Sequence, residues 1–176
     1  ALGLPATIEP EGGGLTWRGE LRSGLLANVG LRIASRVLVR VASFEARSFV
    51  ELERQARRIS WSRMVSANGA VRFRVTCRKS RLYHSDAVAQ RLGDAVFRAV
   101  PGAKMVRAKS ADEDAPEDEA QLFVVRMLHD RCTVSADTSG ELLHRRGWRQ
   151  ATAKAPLRET LAAALLVASG WDGSAP

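Results

Sequence analysis

The sequence is poor in cysteine and has no long uncharged run. Its longest stretch without a charged residue runs from Thr160 to Trp171. A membrane-spanning helix needs about 20 apolar residues, so we expect no membrane segment. The two cysteines, Cys77 and Cys132, fit neither a disulfide framework nor a zinc-binding spacing. We therefore expect both to be buried free thiols within strands.

Motifs of catalysis are also missing. The chain has no G-x-S-x-G, no P-loop, no H-E-x-x-H and no glycine-rich dinucleotide turn. His84, His129 and His144 are too far apart for a metal-binding spacing. Cys77 has only His84 near it in sequence, and its place in an alternating strand predicts an inward side chain. The sequence thus predicts no catalytic residue and no metal site.

The chain has 176 residues, of which 45% are hydrophobic and 26% are charged. This composition excludes a wholly disordered chain, a collagen and a coiled coil, and the length predicts one domain or two small ones. The sequence does not begin with Met, and it stops shortly after a predicted helix. We therefore expect it to be a piece of a longer protein.

Positive charge is in excess, with 27 basic against 19 acidic residues, a net charge of +8 and a pI near 10.6. Such a balance is typical of a nucleic-acid-binding domain. The alternative is a basic protein that binds no nucleic acid. Between Arg57 and Arg81 there are eight basic residues and no acidic one, which favours a polyanionic partner.

Negative charge is concentrated between residues 111 and 120, which read ADEDAPEDEA. Six acids without a large apolar side chain have nothing to bury, so we predict a solvated loop that can be shortened without loss of the fold. The alternative is that this segment competes with a polyanion for the basic surface.

Periodicity predicts an α+β fold of two small units. We expect a hairpin around residues 12–14 and a helix over 20–34 with Leu21, Leu25, Val29 and Ile33 on its inner face. A helix is expected to begin at an S-x-x-E capping box at Ser48. The other predicted elements are strands over 36–44 (Val37, Val39 and Val41 on one face), 70–78, 121–128 and 131–137, a helix capped by Ser85, and a helix from Pro156 to Gly170.

The clearest candidate site begins on the strand over residues 70–78. Side chains alternate across a strand, so three arginines share one face and the apolar residues point the other way. The following loop adds cations, an aromatic ring and an imidazole, which suit phosphates and unpaired RNA bases. The alternative is a solvated face paired with acids, which the local lack of acids weakens. The predicted RNA-binding residues here are Arg72, Arg74, Arg78, Lys79, Arg81, Tyr83 and His84.

A second candidate segment covers residues 143–149. It contains Arg145, Arg146, Arg149 and Trp148 around a glycine. These side chains suit a phosphate backbone, but they equally suit a linker whose Trp148 packs against a neighbouring domain. We keep the three arginines as candidate RNA-binding residues.

Several segments resemble the THUMP-containing RNA guanine methyltransferases. Residues 139–149 (SGELLHRRGWR), 154–166 (KAPLRETLAAALL) and 169–171 (SGW) are similar to the stretch that joins the THUMP domain to the catalytic domain of that family. Residues 31–38 (LRIASRVL) and 137–140 (DTSG) fit earlier blocks of the same family. The resemblance covers nearly the whole chain.

The resemblance implies a partial ferredoxin-like domain over residues 1–44 and a THUMP RNA-binding domain over 45–139. Residues 140–176 would be a linker and the first helix of a Rossmann-like methyltransferase domain. Such enzymes are cytoplasmic and use S-adenosylmethionine to methylate the exocyclic amine of guanine in ribosomal or transfer RNA. One wall of the cofactor pocket would be formed by Lys154, Ala155, Pro156, Leu157 and Thr160.

The family's cofactor loop and its catalytic Asn-Pro-Pro-Tyr-like motif are both missing from these 176 residues. We therefore expect recognition without chemistry, and no cofactor bound to this chain alone. Alternatives are a THUMP module of a thiolation or deamination enzyme, a small enzyme with a hidden nucleophile–base pair, or a basic interaction protein without an RNA role.

Overall fold

The structure is a computed structural model that describes residues 7–9, 14–106, 120–145 and 157–171. Most of the predicted acidic loop, residues 111–119, therefore lies outside the described residues. The strands are β1 (Thr7–Glu9), β2 (Gly14–Thr16), β3 (Leu38–Glu45), β4 (Ala70–Arg78), β5 (Lys104–Met105), β6 (Gln121–Leu128) and β7 (Arg131–Asp137). The helices are α1 (Leu21–Gly30), α2 (Phe49–Ala56), α3 (Ser85–Ala99) and α4 (Glu159–Ala168), with a 3₁₀ turn at Trp61–Arg63.

The chain divides into two units, one formed by residues 38–140 and the other by residues 1–37 together with 141–176. The larger unit contains a five-stranded sheet in the order β3-β7-β6-β4-β5. Strand β4 runs parallel to both neighbours, whereas β7 is antiparallel to β3 and β6. The predicted α+β class is confirmed.

Helices α2 and α3 cover one face of the sheet because both are amphipathic. Leu52 of α2 and Val88, Leu92 and Val96 of α3 are fully buried, as their helical spacing predicts. They pack in one cluster with the inward residues of β4, β6 and β7. The sheet therefore has a helical side and an opposite side.

Three aromatic rings lie at the centre of this core. Trp61 meets Phe73 and Phe123 edge to face, at centroid distances of 6.3 and 5.2 Å, and the two phenylalanines stack at 5.5 Å. The indole Nε1–H of Trp61 donates to the Ala56 carbonyl at 2.9 Å. The buried polar atom of the ring is thus satisfied, and the 3₁₀ turn is fixed to the end of α2.

The predicted capping box at the start of α2 is confirmed, with one difference. The Ser48 hydroxyl accepts from the Glu51 amide at 3.3 Å. The Glu51 carboxylate accepts from the Arg47 amide at 2.7 Å, one residue before the amide that it would bind in the usual motif. The two bonds still hold the chain that enters the helix.

Two details of the predicted elements of the larger unit are wrong. A bulge between Arg40 and Ala42 interrupts the alternation of β3, so that Ala42 and Phe44 pack against the core as well as Val41. Ser85 is the first residue of α3 rather than its cap. The cap position is His84, and its side chain makes no capping hydrogen bond.

The smaller unit contains the predicted hairpin, with Thr7 opposite Thr16, and helices α1 and α4. Its described core joins Ala27, Val37 and Leu143. The predicted inner stripe of α1 is wrong, because its members range from 49% to 75% exposed and Ala27 is the buried residue of the helix. Apolar periodicity identifies the apolar face of a helix, but it does not identify the residues that cover that face.

Helix α4 ends as predicted at Gly170, whose φ of +75° is a left-handed conformation that glycine adopts without strain. The Gly170 amide donates to Val167 at 3.2 Å and the Trp171 amide to Leu166 at 3.3 Å. These two bonds form a Schellman motif. Leu161 and Leu165 of the predicted stripe are more than half exposed.

We expect Phe123→Ala to lower the free energy of unfolding by about 3–5 kcal/mol, because it removes a fully buried ring with two aromatic neighbours. Urea denaturation followed by circular dichroism measures the change. Val50→Ala on α2, where the side chain is 77% exposed, is the control and should stay within about 0.5 kcal/mol. Equal effects for the two variants would contradict this description of the core.

Candidate nucleic-acid interface

Strand β4 presents its arginines on the side of the sheet opposite the helices. Val71 and Phe73 are buried in the core, while Arg74 and Arg78 are exposed and Arg72 is half-buried. The predicted alternation is confirmed, and it places three guanidinium groups along one face.

Strand pairing brings further arginines to the same face. Residues paired across a sheet point to the same side, and Arg126 of β6 lies opposite Thr76 in the parallel register. Arg131 of β7 pairs with Leu128, and Arg40 of β3 pairs with Ser135. All three are exposed. We call the six residues the arginine face: Arg40, Arg72, Arg74, Arg78, Arg126 and Arg131.

Sequence reasoning missed Arg40, Arg126 and Arg131 as members of this face. The apolar run at the start of β6 hides its alternation, and each of the three arginines is distant in sequence from β4. The single available signal was that Arg126 and Arg131 flank a predicted hairpin. Their placement depends on register, which local periodicity does not give.

The arginine face also includes two acidic residues, one of which is buried. Glu45 pairs with Arg131 at 3.5 Å. Asp137 is buried, and its carboxylate accepts from the Ser139 amide at 3.0 Å. Its carbonyl accepts from the Gln121 side chain at 2.8 Å. The exposed positive charge is therefore concentrated toward Arg74, Arg78 and Arg126.

The eight cations between residues 57 and 81 do not all share this face. Arg57, Arg58 and Arg63 follow α2 and the 3₁₀ turn, and Arg57 lies 3.8 Å from the Glu53 carboxylate. Glu53 also pairs with Arg91 of α3 at 2.9 Å. These three arginines belong to the helical side, so the acid-free stretch overstates the charge of any one surface.

The loop after β4 carries the remaining predicted residues of this site. Lys79 has a φ of +47°, and this left-handed residue turns the chain away from the strand. Leu82 is buried, whereas Lys79, Arg81, Tyr83 and His84 are exposed. The Tyr83 and His84 rings lie 4.0 Å apart at 41°, and Tyr83 is 69% exposed. The loop that follows Arg78 thus exposes two cations and an accessible ring.

The second predicted segment falls mostly outside the described residues, which leave out Arg146, Trp148 and Arg149. Arg145 is half-buried, and its amide donates to the Leu142 carbonyl at 2.8 Å. It belongs to the smaller unit. Its role in RNA binding stays a prediction.

Of the predicted cofactor wall, Lys154, Ala155 and Pro156 lie outside the described residues. Leu157 is 49% exposed, and Thr160 is buried in the first turn of α4. Within the described residues, no cluster of three or more metal-binding side chains occurs. No helix in the described parts of the chain is long and apolar enough to cross a membrane.

Both cysteines are free, with Cys132 buried and Cys77 half-buried. Burial raises the pKa of the Cys77 thiol. Burial, and to a lesser extent the charge of Cys77, raises the pKa of Cys132 to about 12. Because the thiolate is the nucleophile, the raised pKa values lower the reactivity of both thiols at neutral pH.

The fold and the arginine face define the class of this chain: an α+β domain whose mixed sheet has helices on one side and exposed arginines on the other. The chain belongs to the THUMP domain family, whose pattern matches residues 46–137. The resemblance predicted from the sequence is confirmed by its relatives.

Ribosomal RNA large subunit methyltransferase K/L from Syntrophotalea carbinolica is 34% identical over 97% of this chain and 23% of its own length. A solved Listeria monocytogenes protein, provisionally assigned as an N6-adenine-specific DNA methylase, has a TM-score of 0.75 at 28% identity over 97% of this chain and 43% of that one. SMU.472, provisionally assigned as a methyltransferase and solved with SAH, has a TM-score of 0.71 at 25% identity, covering 99% and 45%. The chain thus spans less than half the length of these relatives.

We expect both thiols to resist alkylation by iodoacetamide at pH 8 in the folded protein, with Cys132 the slower, because their raised pKa values keep them protonated. Mass spectrometry of peptides containing each cysteine measures the rates. The same reaction in urea is the control and should modify both quickly. Rapid modification of Cys132 in the folded chain would contradict its burial.

Proposed function

We propose that this chain is the RNA-recognition part of an S-adenosylmethionine-dependent methyltransferase that modifies the exocyclic amine of guanine in ribosomal or transfer RNA in the cytoplasm. The arginine face carries the proposal. Its residues Arg74, Arg78 and Arg126 are exposed, and the exposed ring of Tyr83 belongs to the loop that follows Arg78. Membership of the THUMP family and the methyltransferase relatives support it.

The chemistry of the face suits RNA. A guanidinium group binds phosphate through two parallel hydrogen bonds, and neutralised phosphates release counterions, which favours binding at low salt. The exposed ring of Tyr83 in the following loop offers a stacking surface for an unpaired base. Phosphate contacts would position the RNA, and the ring would select single-stranded regions.

The relatives favour methyl transfer over the thiolation or deamination alternatives, because the relatives described above are assigned as methyltransferases. The methyl donor is inferred from SMU.472, which was solved with SAH. The ribosomal relative favours ribosomal RNA, and the target base stays part of the proposal. Crosslinking the chain to total cellular RNA and sequencing the crosslinked sites would test it. Crosslinks clustered near modified guanines support the proposal, whereas clusters at modified adenines would reassign the base.

We expect binding to a structured ribosomal RNA fragment to weaken with salt, since the slope of log affinity against log salt is about −0.7 to −0.9 per phosphate contact. Arg74→Ala and Lys79→Ala should each flatten the slope by roughly one contact. Fluorescence anisotropy at several salt concentrations gives the slopes. Arg98→Ala, in the last turn of α3, is the control and should leave the slope unchanged.

A salt-independent affinity, or a wild-type slope in both site variants, would show that the arginine face does not bind the RNA. An effect of Arg98→Ala as large as that of Arg74→Ala would indicate that only the net charge matters. Because each of the three variants removes one positive charge, the comparison separates the effect of where a charge lies from the effect of net charge.

We expect residues 1–176 not to bind S-adenosylmethionine measurably on their own. Residues 154–160 would supply one wall of the pocket, while the glycine-rich turn and the acidic ribose ligand typical of such sites do not occur in this sequence. Calorimetric titration is the direct measurement. Saturable micromolar binding would contradict the assignment of this chain to recognition alone.

A further inference from the structure

An acid, Asp130, lies beside the basic loop that follows β4. It is the second residue of the turn between β6 and β7, where His129 and Asp130 have φ values of +48° and +61°. Aspartate tolerates this left-handed conformation better than most residues. Its side chain is 22% exposed, so the turn holds a largely shielded carboxylate next to the loop formed by residues 79–84.

Asp130 is bonded to that loop at two points. Its carboxylate oxygen Oδ1 accepts from the Arg81 amide at 2.7 Å, a short bond of the charge-assisted type. Its own amide donates to the Ser80 hydroxyl at 3.0 Å, and this hydroxyl donates to the Arg78 carbonyl at 2.9 Å. The loop and the turn are thus linked across about 50 residues of sequence.

The other contacts of Asp130 lead away from the loop. Its carbonyl accepts from the Ala46 amide at 2.8 Å, and Oδ2 lies 3.9 Å from Nε of Arg47. The turn is therefore fixed to the segment that connects β3 and α2. This arrangement gives the carboxylate a rigid support from which to hold Arg81.

Two residues anchor the loop, and the others project from it. The Arg81 backbone is held by Asp130, and Leu82 is buried in the core with 5% exposure. Between and beyond these anchors, the Arg81 side chain and the rings of Tyr83 and His84 are exposed. The anchors therefore determine where those three groups lie.

We propose that Asp130 is a positioning residue for RNA binding: it holds the loop at residues 79–84 so that Tyr83 is presented to an unpaired base. This inference rests on the proposed function.

The positioning role and simple electrostatics predict opposite effects of removing the Asp130 carboxylate. A carboxylate near a phosphate-binding surface repels RNA, so its removal should tighten binding if charge alone matters. Positioning requires that the same removal weaken the binding of single-stranded RNA.

The test compares Asp130→Gly with the wild type. Glycine accepts the positive φ of the turn and keeps the amide that bonds Ser80, so only the carboxylate is lost. We expect affinity for a short single-stranded RNA to fall at least roughly fivefold, which is the scale of one lost base-stacking contact. Affinity for a blunt duplex of the same sequence should stay equal or rise.

Two controls accompany this variant. His129→Gly alters the neighbouring turn residue, which has the same left-handed backbone conformation and an exposed side chain, so its affinities should match the wild type. In a Tyr83→Ala background, Asp130→Gly should have no further effect on single-stranded RNA. Hydrogen exchange at the Arg81 amide should accelerate in Asp130→Gly, whereas the melting temperature reports any general loss of structure.

The outcomes separate the two proposals. If Tyr83→Ala weakens single-stranded binding while Asp130→Gly leaves it unchanged or tightens it, the positioning role is wrong and RNA recognition stands. If the wild-type chain binds neither RNA, both proposals fail. Should Asp130→Gly not fold, Asp130→Asn takes its place, because asparagine also tolerates the positive φ but its neutral amide oxygen holds the Arg81 amide less strongly than the carboxylate does. Unchanged or tighter single-stranded binding in that variant would overturn the positioning role.

Discussion

The burial of one face of β4 decides on which side of the sheet the arginines of that strand lie. Phe73 packs against Trp61 and Phe123, and this contact commits Val71 and Phe73 to the helical side. Because side chains alternate, a shift of one residue in register would bury Arg72 and Arg74 in the core. The cost of burying guanidinium groups there is far greater than the gain from any single surface contact. The hydrophobic contact thus creates the arginine face indirectly.

Much of this arrangement follows from local sequence. The period of two in β4, the capping box of α2 and the glycine that ends α4 are short-range signals, and each works through atoms a few residues apart. They were sufficient to predict the main elements and the positions of Arg72, Arg74 and Arg78. The buried spacing of Val88, Leu92 and Val96 was equally local, since one turn of a helix decides it.

The features that local sequence does not predict depend on contacts between residues distant in sequence. Arg126 joins the arginine face only through the parallel register of β6 with β4, and no local pattern specifies that register. The bulge in β3 is similar, because an extra residue changes the face without changing the composition of the strand. The exposed stripe of α1 shows the converse case. An apolar period predicts the face of a helix but not the partner that it needs, and the described residues place only Ala27 in a core.

The pairing of β4 with β6 has a consequence for how the protein folds. Parallel strands end at the same edge of a sheet, so the loop after β4 and the turn after β6 meet there, although the Arg81–Asp130 bond spans 49 residues. Contacts of such long sequence separation form late, since much of the chain must be ordered first. During synthesis, the loop would remain unanchored until β6 and its turn had emerged. The basic loop therefore acquires its final shape only when the sheet is nearly complete, so an unfinished chain would not display it.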